Sequence, residues 1–132
     1  MSDDAFVDTN VLVYAHDADA GPKHAVARAL IEGMWEDRSG ALSTQVLQEF
    51  YVTVTRKLPR PMPRGEARRL VAAYGEWPVH RPDPGDVVAA SEFEERHRVS
   101  FWGALIVVSA SRLGSGRLLT EDLHAGLQIG DL

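Results

Sequence analysis

The 132-residue sequence contains no cysteine, which excludes disulfides, thiolate metal sites and a cysteine nucleophile and suits a reducing cytoplasm, where the chain is expected to work. Long apolar runs are missing too. The longest, Ala104 to Val108, falls far short of the roughly 20 residues that cross a bilayer. The acidic start Met1-Ser2-Asp3-Asp4 has neither the basic region nor the apolar stretch of a secretory signal. Internal repeats, low-complexity tracts and Gly/Ser linkers are absent. The five histidines, His16, His24, His80, His97 and His124, lack zinc-ligand spacing and are expected to be packing or surface residues. A net charge of −5 argues against indiscriminate binding to polyanions, although the distribution of charge decides more than its sum. What is present is ordinary for a globular protein: 45% hydrophobic and 25% charged residues in a length that fits one domain over residues 1–132.

Four short segments bounded by turn or cap residues have strand character: Ala5 to Asp8, Gly40 to Ser43, Trp77 to His80, and Arg117 to Thr120 after a Gly-Ser-Gly turn. Between them run stretches with helical spacing. These are Ala25 to Met34, Val46 to Val54, Ala67 to Tyr74 and Val87 to Phe93. Alternating strands and helices predict an α/β fold with a mostly parallel sheet, right-handed crossovers and helices on both faces. Ligands of such sheets bind beyond the carboxyl ends of the strands.

Acidic residues fall at that edge. Asp8 ends the first strand segment, Asp122 stands just past the last one, and Glu49 lies about one turn into the helix that leaves the second, interrupting an otherwise apolar face. Each alone has an ordinary explanation. Asp8-Thr9-Asn10 can cap a helix, Asp122 can serve a turn, and Glu49 can be a solvated helix charge. Together they favour a site. Clustered carboxylates repel unless a cation holds them ionised, and oxygen-only ligands favour Mg2+ or Mn2+ over zinc. Such an ion activates water and stabilises charge on a phosphate, so phosphodiester hydrolysis is the leading chemistry.

Four ordered segments carry a resemblance over nearly the whole chain: Phe6-Val7-Asp8-Thr9-Asn10-Val11-Leu12-Val13-Tyr14, Gln48-Glu49-Phe50-Tyr51, Ser100-Phe101-Trp102-Gly103-Ala104-Leu105-Ile106, and Leu118-Leu119-Thr120-Glu121-Asp122-Leu123. The sequence resembles the PIN-domain family and, within it, VapC-type toxins. The resemblance implies a three-layer α/β/α nuclease, the toxin of a toxin–antitoxin pair, that cuts RNA with Mg2+ or Mn2+. It further implies a homodimer inhibited by a cognate antitoxin whose tail covers the site. Asp8, Glu49 and Asp122 match acidic positions of that pattern and are the implied metal ligands and catalytic acids, with Thr9, Asn10 and Thr120 in support. Gly103 stands where the pattern has a fourth acid.

That glycine is odd on physical grounds as well. Ser100 is a plausible N-cap, and the third helical position after it favours an acid that reaches back to the cap amide. Loss of a carboxylate there predicts a nuclease weakened by at least the 10- to 100-fold that follows loss of outer metal partners. The alternative is a catalytically inactive PIN-like module that binds RNA or an antitoxin. Family members carry one more short strand after the Asp122 segment, and with the chain ending at Gly130-Asp131-Leu132 an incomplete sheet edge is expected.

Six of the fourteen basic residues, Arg56, Lys57, Arg60, Arg64, Arg68 and Arg69, crowd into one stretch. They are candidates to face RNA phosphates, and the same pattern fits a solvated surface or a contact for an acidic partner. Pro59, Pro61 and Pro63 make the middle of this stretch stiff and extended. Trp35, Trp77 and Trp102 are read as core or interface aromatics rather than stacking platforms. Two other phosphate-handling α/β classes fail on particular positions. A receiver domain needs a lysine after a late strand, and the only lysines are Lys23 and Lys57; a haloacid-dehalogenase-type phosphatase needs an acid two residues after the first, where this chain has Asn10.

Overall fold

The computed structural model describes residues 4–121 and 127–128. Its sheet has the order β3-β2-β1-β4-β5, built from β1 (Ala5–Val7), β2 (Gly40–Ser43), β3 (Val79–His80), β4 (Arg117–Leu119) and β5 (Leu127–Gln128). The first four run parallel, in the register Ala5↔Gly40, Ala5↔Arg117 and Leu42↔Val79. All three β1 residues are buried, as expected of a central strand covered on both faces. The expected incomplete edge is corrected by β5, which pairs antiparallel with β4 through Arg117↔Gln128 and Leu118↔Leu127. Main-chain hydrogen bonding alone defines so short a strand, so no side-chain pattern announces it.

Six helices supply the crossovers: α1 (Thr9–His16) and α2 (Pro22–Asp37), α3 (Thr44–Val52) and α4 (Arg64–Tyr74), then α5 (Pro84–His97) and α6 (Phe101–Arg112). They form two packed groups, α1 to α4 and α5 with α6, that flank the sheet. None is long and apolar enough to cross a membrane among the described residues. Helix α6 is buried continuously from Ala104 to Ala110, which accounts for an apolar run without amphipathic spacing. After α3 the chain widens into a single π-helical turn, Thr53–Lys57. The prolines then carry it to α4 without regular structure, as their fixed φ and missing N–H groups require.

The core unites Phe6, Leu12, Leu42, Phe50 and Leu118 with Tyr74 and Trp77. Trp77, read as the start of a strand, instead packs on Tyr74 with ring centroids 5.0 Å apart and an interplanar angle of 85°. His16 shares a 2.5 Å hydrogen bond with the Tyr74 hydroxyl, and burial holds its imidazole below its ordinary pKa. At the opposite side, Asp86 is 3% exposed and accepts from Arg112 Nε at 2.9 Å, from the Asp83 N–H at 3.0 Å and pairs with His80 Nε2 at 2.7 Å. That carboxylate ties the start of α5 to the end of α6 and to β3.

The chain leaves β1 toward β2 and β3, then crosses to the other side of β1 with β4. The carboxyl ends of β1 and β4 therefore flank a point where strand order reverses, the place where open α/β sheets form a crevice.

Candidate active site

Asp8 occupies that crevice. Its backbone is extended, with φ −76° and ψ 161°, and it is the N-cap of α1. One carboxylate oxygen, Oδ1, accepts from the Thr9 N–H at 2.6 Å, and the other, Oδ2, accepts from the Thr120 hydroxyl at 2.7 Å. The second bond spans the two strand ends, because Thr120 directly follows β4. Capping and site-building thus coincide in Asp8.

Glu49 comes from α3, which starts at the carboxyl end of β2 with Ser43 as cap. Its Oε1 accepts from the Thr9 hydroxyl at 2.7 Å. Thr9 therefore serves both carboxylates, by its backbone N–H to Asp8 and by its side chain to Glu49. Gln45, one turn earlier on the same face of α3, directs Nε2 toward Glu49 Oε2 at 3.5 Å and donates it to the Trp102 carbonyl at 3.3 Å. Gln45 Oε1 is buried without a hydrogen-bond partner among the described residues.

Gly103 faces the same space. It sits in the first turn of α6, and its N–H donates to Ser100 Oγ at 3.0 Å, so the expected cap is formed. A Cβ at this position would meet Ser100 Oγ at 3.1 Å and no other side chain of the described residues within 4 Å. Asp8, Thr9, Asn10, Gln45, Glu49 and Gly103 all line one cleft of about 430 Å³. A neighbouring hollow of about 290 Å³ is reached past Asp8, Ser100, Gly103 and Arg98. Asp122 lies outside the described residues.

Asn10 also holds the strand end, its Oδ1 accepting from the Glu121 N–H at 3.5 Å. The Glu121 carboxylate accepts from the Tyr14 hydroxyl at 2.6 Å and pairs with Lys23 Nζ at 2.6 Å. Lys23 holds that carboxyl below its ordinary pKa, and the hydrogen bond to Glu121 raises the Tyr14 phenol above its own.

The basic residues do not line the cleft. Arg56, Lys57, Arg60, Arg64, Arg68 and Arg69 are all exposed along the π-helical turn, the proline segment and α4. Arg60 is engaged elsewhere, forking onto Asp19 through Nε at 2.9 Å and a second nitrogen at 2.5 Å. Trp102 departs from a core reading. It is 61% exposed, whereas Trp77 is buried and Trp35 lies between them at 40%. Gln45 and Trp102 were missed as site residues. For Gln45 the signal was available in its i, i+4 spacing from Glu49.

The strand order, the acids at the carboxyl ends of β1 and β2, and the hydroxyl-braced cleft define an α/β fold with an acid-lined crevice. The PIN domain profile matches residues 5–125, and the chain belongs to the PIN domain family. Among solved structures, the crystal structure of Mycobacterium tuberculosis VapC20, a sarcin-ricin loop cleaving toxin, is similar with a TM-score of 0.65 and 20% identity over 86% of either chain. A toxin–antitoxin complex from Klebsiella pneumoniae is similar with a TM-score of 0.63 and 17% identity, over 88% of this chain and 84% of that one. No curated protein sequence matches the chain.

Proposed function

We propose that this protein is a divalent-metal-dependent endoribonuclease, the toxin of a toxin–antitoxin pair, working with an incomplete acidic set because Gly103 stands where a fourth carboxylate belongs. One observation carries the reading: Asp8 and Glu49, from different strands and helices, converge on one cleft through the same Thr9. Family membership and the two toxin-related folds support it.

The donor set fits a hard cation. Among the described residues no three acids or imidazoles come together as a cage. Mg2+, however, is commonly held by one or two carboxylates plus waters and substrate phosphate. Asp8 and Glu49 would provide those carboxylates, and Asp122 completes the proposed ligands. When bound, the ion supplies a more acidic water and charge stabilisation at the phosphate. Thr9 keeps Glu49 turned into the cleft, Thr120 fixes Asp8, and Asn10 with Glu121 steadies the end of β4. A cognate antitoxin would place an arginine among the carboxylates, where charge-assisted, bidentate bonds are strongest. A homodimer is part of the same proposal.

Gly103 also favours a second reading, in which the cleft binds RNA or antitoxin without cutting. Cleavage of a mixed small-RNA pool with Mg2+ or Mn2+ separates the two, comparing this chain with Gly103→Asp and with Gly103→Asp/Asp8→Ala. Restored aspartate should raise cleavage at least about 10-fold, and Asp8→Ala should abolish it. Absence of cleavage by every form under either metal rejects the nuclease reading.

A further inference from the structure

We infer that Trp102 is the platform on which an unpaired nucleobase of the substrate stacks beside the acidic cleft. The inference rests on the RNA reading above and names the side chain that receives the base.

An exposed tryptophan is ordinary taken singly. Placement distinguishes this one. The residue is 61% exposed, yet it lines the same cleft as Asp8, Glu49 and Gly103. It is held on both sides of its Cα. Its carbonyl accepts from Gln45 Nε2, a side chain only 7% exposed that also reaches toward Glu49. Its ring meets Phe101 edge-on, with centroids 5.2 Å apart and an interplanar angle of 80°. The buried Gln45 amide thereby links the backbone of the rim aromatic to the Glu49 carboxylate. The contact with Phe101 is a single edge-to-face one, and with the residue 61% exposed most of the indole surface stays open to a ligand at the rim of the cleft. Other exposed apolar residues, Val26 and Leu30, line a separate hollow of about 330 Å³ against α1. They have no such relation to the acids.

Nucleobases are flat and stack on aromatic faces irrespective of sequence, but only when unpaired; a base inside an A-form duplex has both faces covered. A rim tryptophan next to a phosphate-directed acidic cleft fits a strand whose backbone enters the cleft while one base turns outward. Alanine substitution of such platforms weakens binding by about 5- to 100-fold per base.

The test measures binding of a fluorescent single-stranded octaribonucleotide in EDTA, where affinity is read without turnover. The chain, Trp102→Ala and Trp102→Tyr are compared, each also against a strand of the same length with abasic sugars throughout and against a duplex. We expect Trp102→Ala to lose about 5- to 100-fold on the single strand and nothing on the abasic strand or duplex, and Trp102→Tyr to stay close to the parent. Equal affinity of Trp102→Ala and parent for the single strand overturns the inference and leaves the nuclease reading standing. So does an equal loss on the abasic strand. Trp102→Ala that binds RNA normally but changes sedimentation from dimer to monomer also overturns it, and assigns the ring to a protein interface. No binding of any RNA by the folded parent rejects the RNA reading itself, and this inference with it.

Discussion

The hydroxyl of Thr9 donates to Oε1 of Glu49 across 2.7 Å, joining the first residue of α1 to the middle of α3. Without that bond Glu49 would keep, among the described residues, the long 3.5 Å approach of Gln45. Thr9→Val preserves shape and the backbone bond to Asp8, so net stability should fall by no more than about 1 kcal/mol. Mn2+ affinity by titration calorimetry should fall about 10- to 100-fold, and Thr9→Ser should recover it. Unchanged affinity in Thr9→Val would remove Thr9 from the metal-binding role.

Much of this arrangement is legible in the sequence. Asp8 ends the apolar run Ala5-Phe6-Val7, and Glu49 breaks an apolar helix face, so their meeting at the sheet's carboxyl edge follows from topology. Trp102 was not legible, because an aromatic at the head of the buried run Ala104–Ala110 reads as core until the direction of the first helical turn is known. Nor was the engagement of Arg60, whose partner Asp19 is 41 positions away. Edge strand β5 depends on main-chain pairing with β4, which leaves no periodicity in so short a segment. Asp122, the third acid of the proposed site, lies outside the described residues.

Gly40 exists for packing. A Cβ there would stand 2.5, 2.6 and 2.8 Å from ring carbons of Trp77, and that indole is locked between Tyr74 and Trp35, with centroids at 5.0 Å from each. Gly40→Ala should therefore lower the unfolding free energy by about 1–3 kcal/mol in urea titrations. Gly33, inside α2, has no other described side chain within 4 Å of its Cβ position. Gly33→Ala should raise stability by about 0.5–1 kcal/mol. Equal effects at the two sites would contradict the packing argument.

Asp86 links stability to pH. The Arg112 guanidinium, followed by the Asp83 N–H, lowers its carboxyl from 3.8 to about 2. A carboxylate whose pKa is depressed by folding stabilises the fold above its unfolded value and loses that contribution as pH falls through its folded one. Asp86→Asn should be less stable than the parent by on the order of 1.5–3 kcal/mol near neutrality, the range for hydrogen bonds to a charged group. The gap should close between about pH 4 and about pH 2 in thermal unfolding series. A gap constant through that window would mean that shape, rather than charge, accounts for the loss.

The basic stretch separates into engaged and available cations. Arg60 engages Asp19 through one bidentate edge of its guanidinium, whereas Arg56, Lys57, Arg64, Arg68 and Arg69 are exposed on the π-helical turn and α4. If this surface carries RNA, each residue that neutralises a phosphate releases counterions, and the slope of log affinity against log salt falls by about 0.7 per contact for a single strand. Individual alanine variants at those five positions should flatten the slope by up to that amount and weaken binding irrespective of base sequence. Arg60→Ala should leave it unchanged, since its charge is already neutralised and an exposed ion pair contributes little to the fold. Filter binding between about 50 and 200 mM salt reads the slope directly. Five unaltered slopes alongside intact parent binding would make the stretch a solvated surface and move the phosphate contacts to the cleft itself, where Arg98 borders the second hollow.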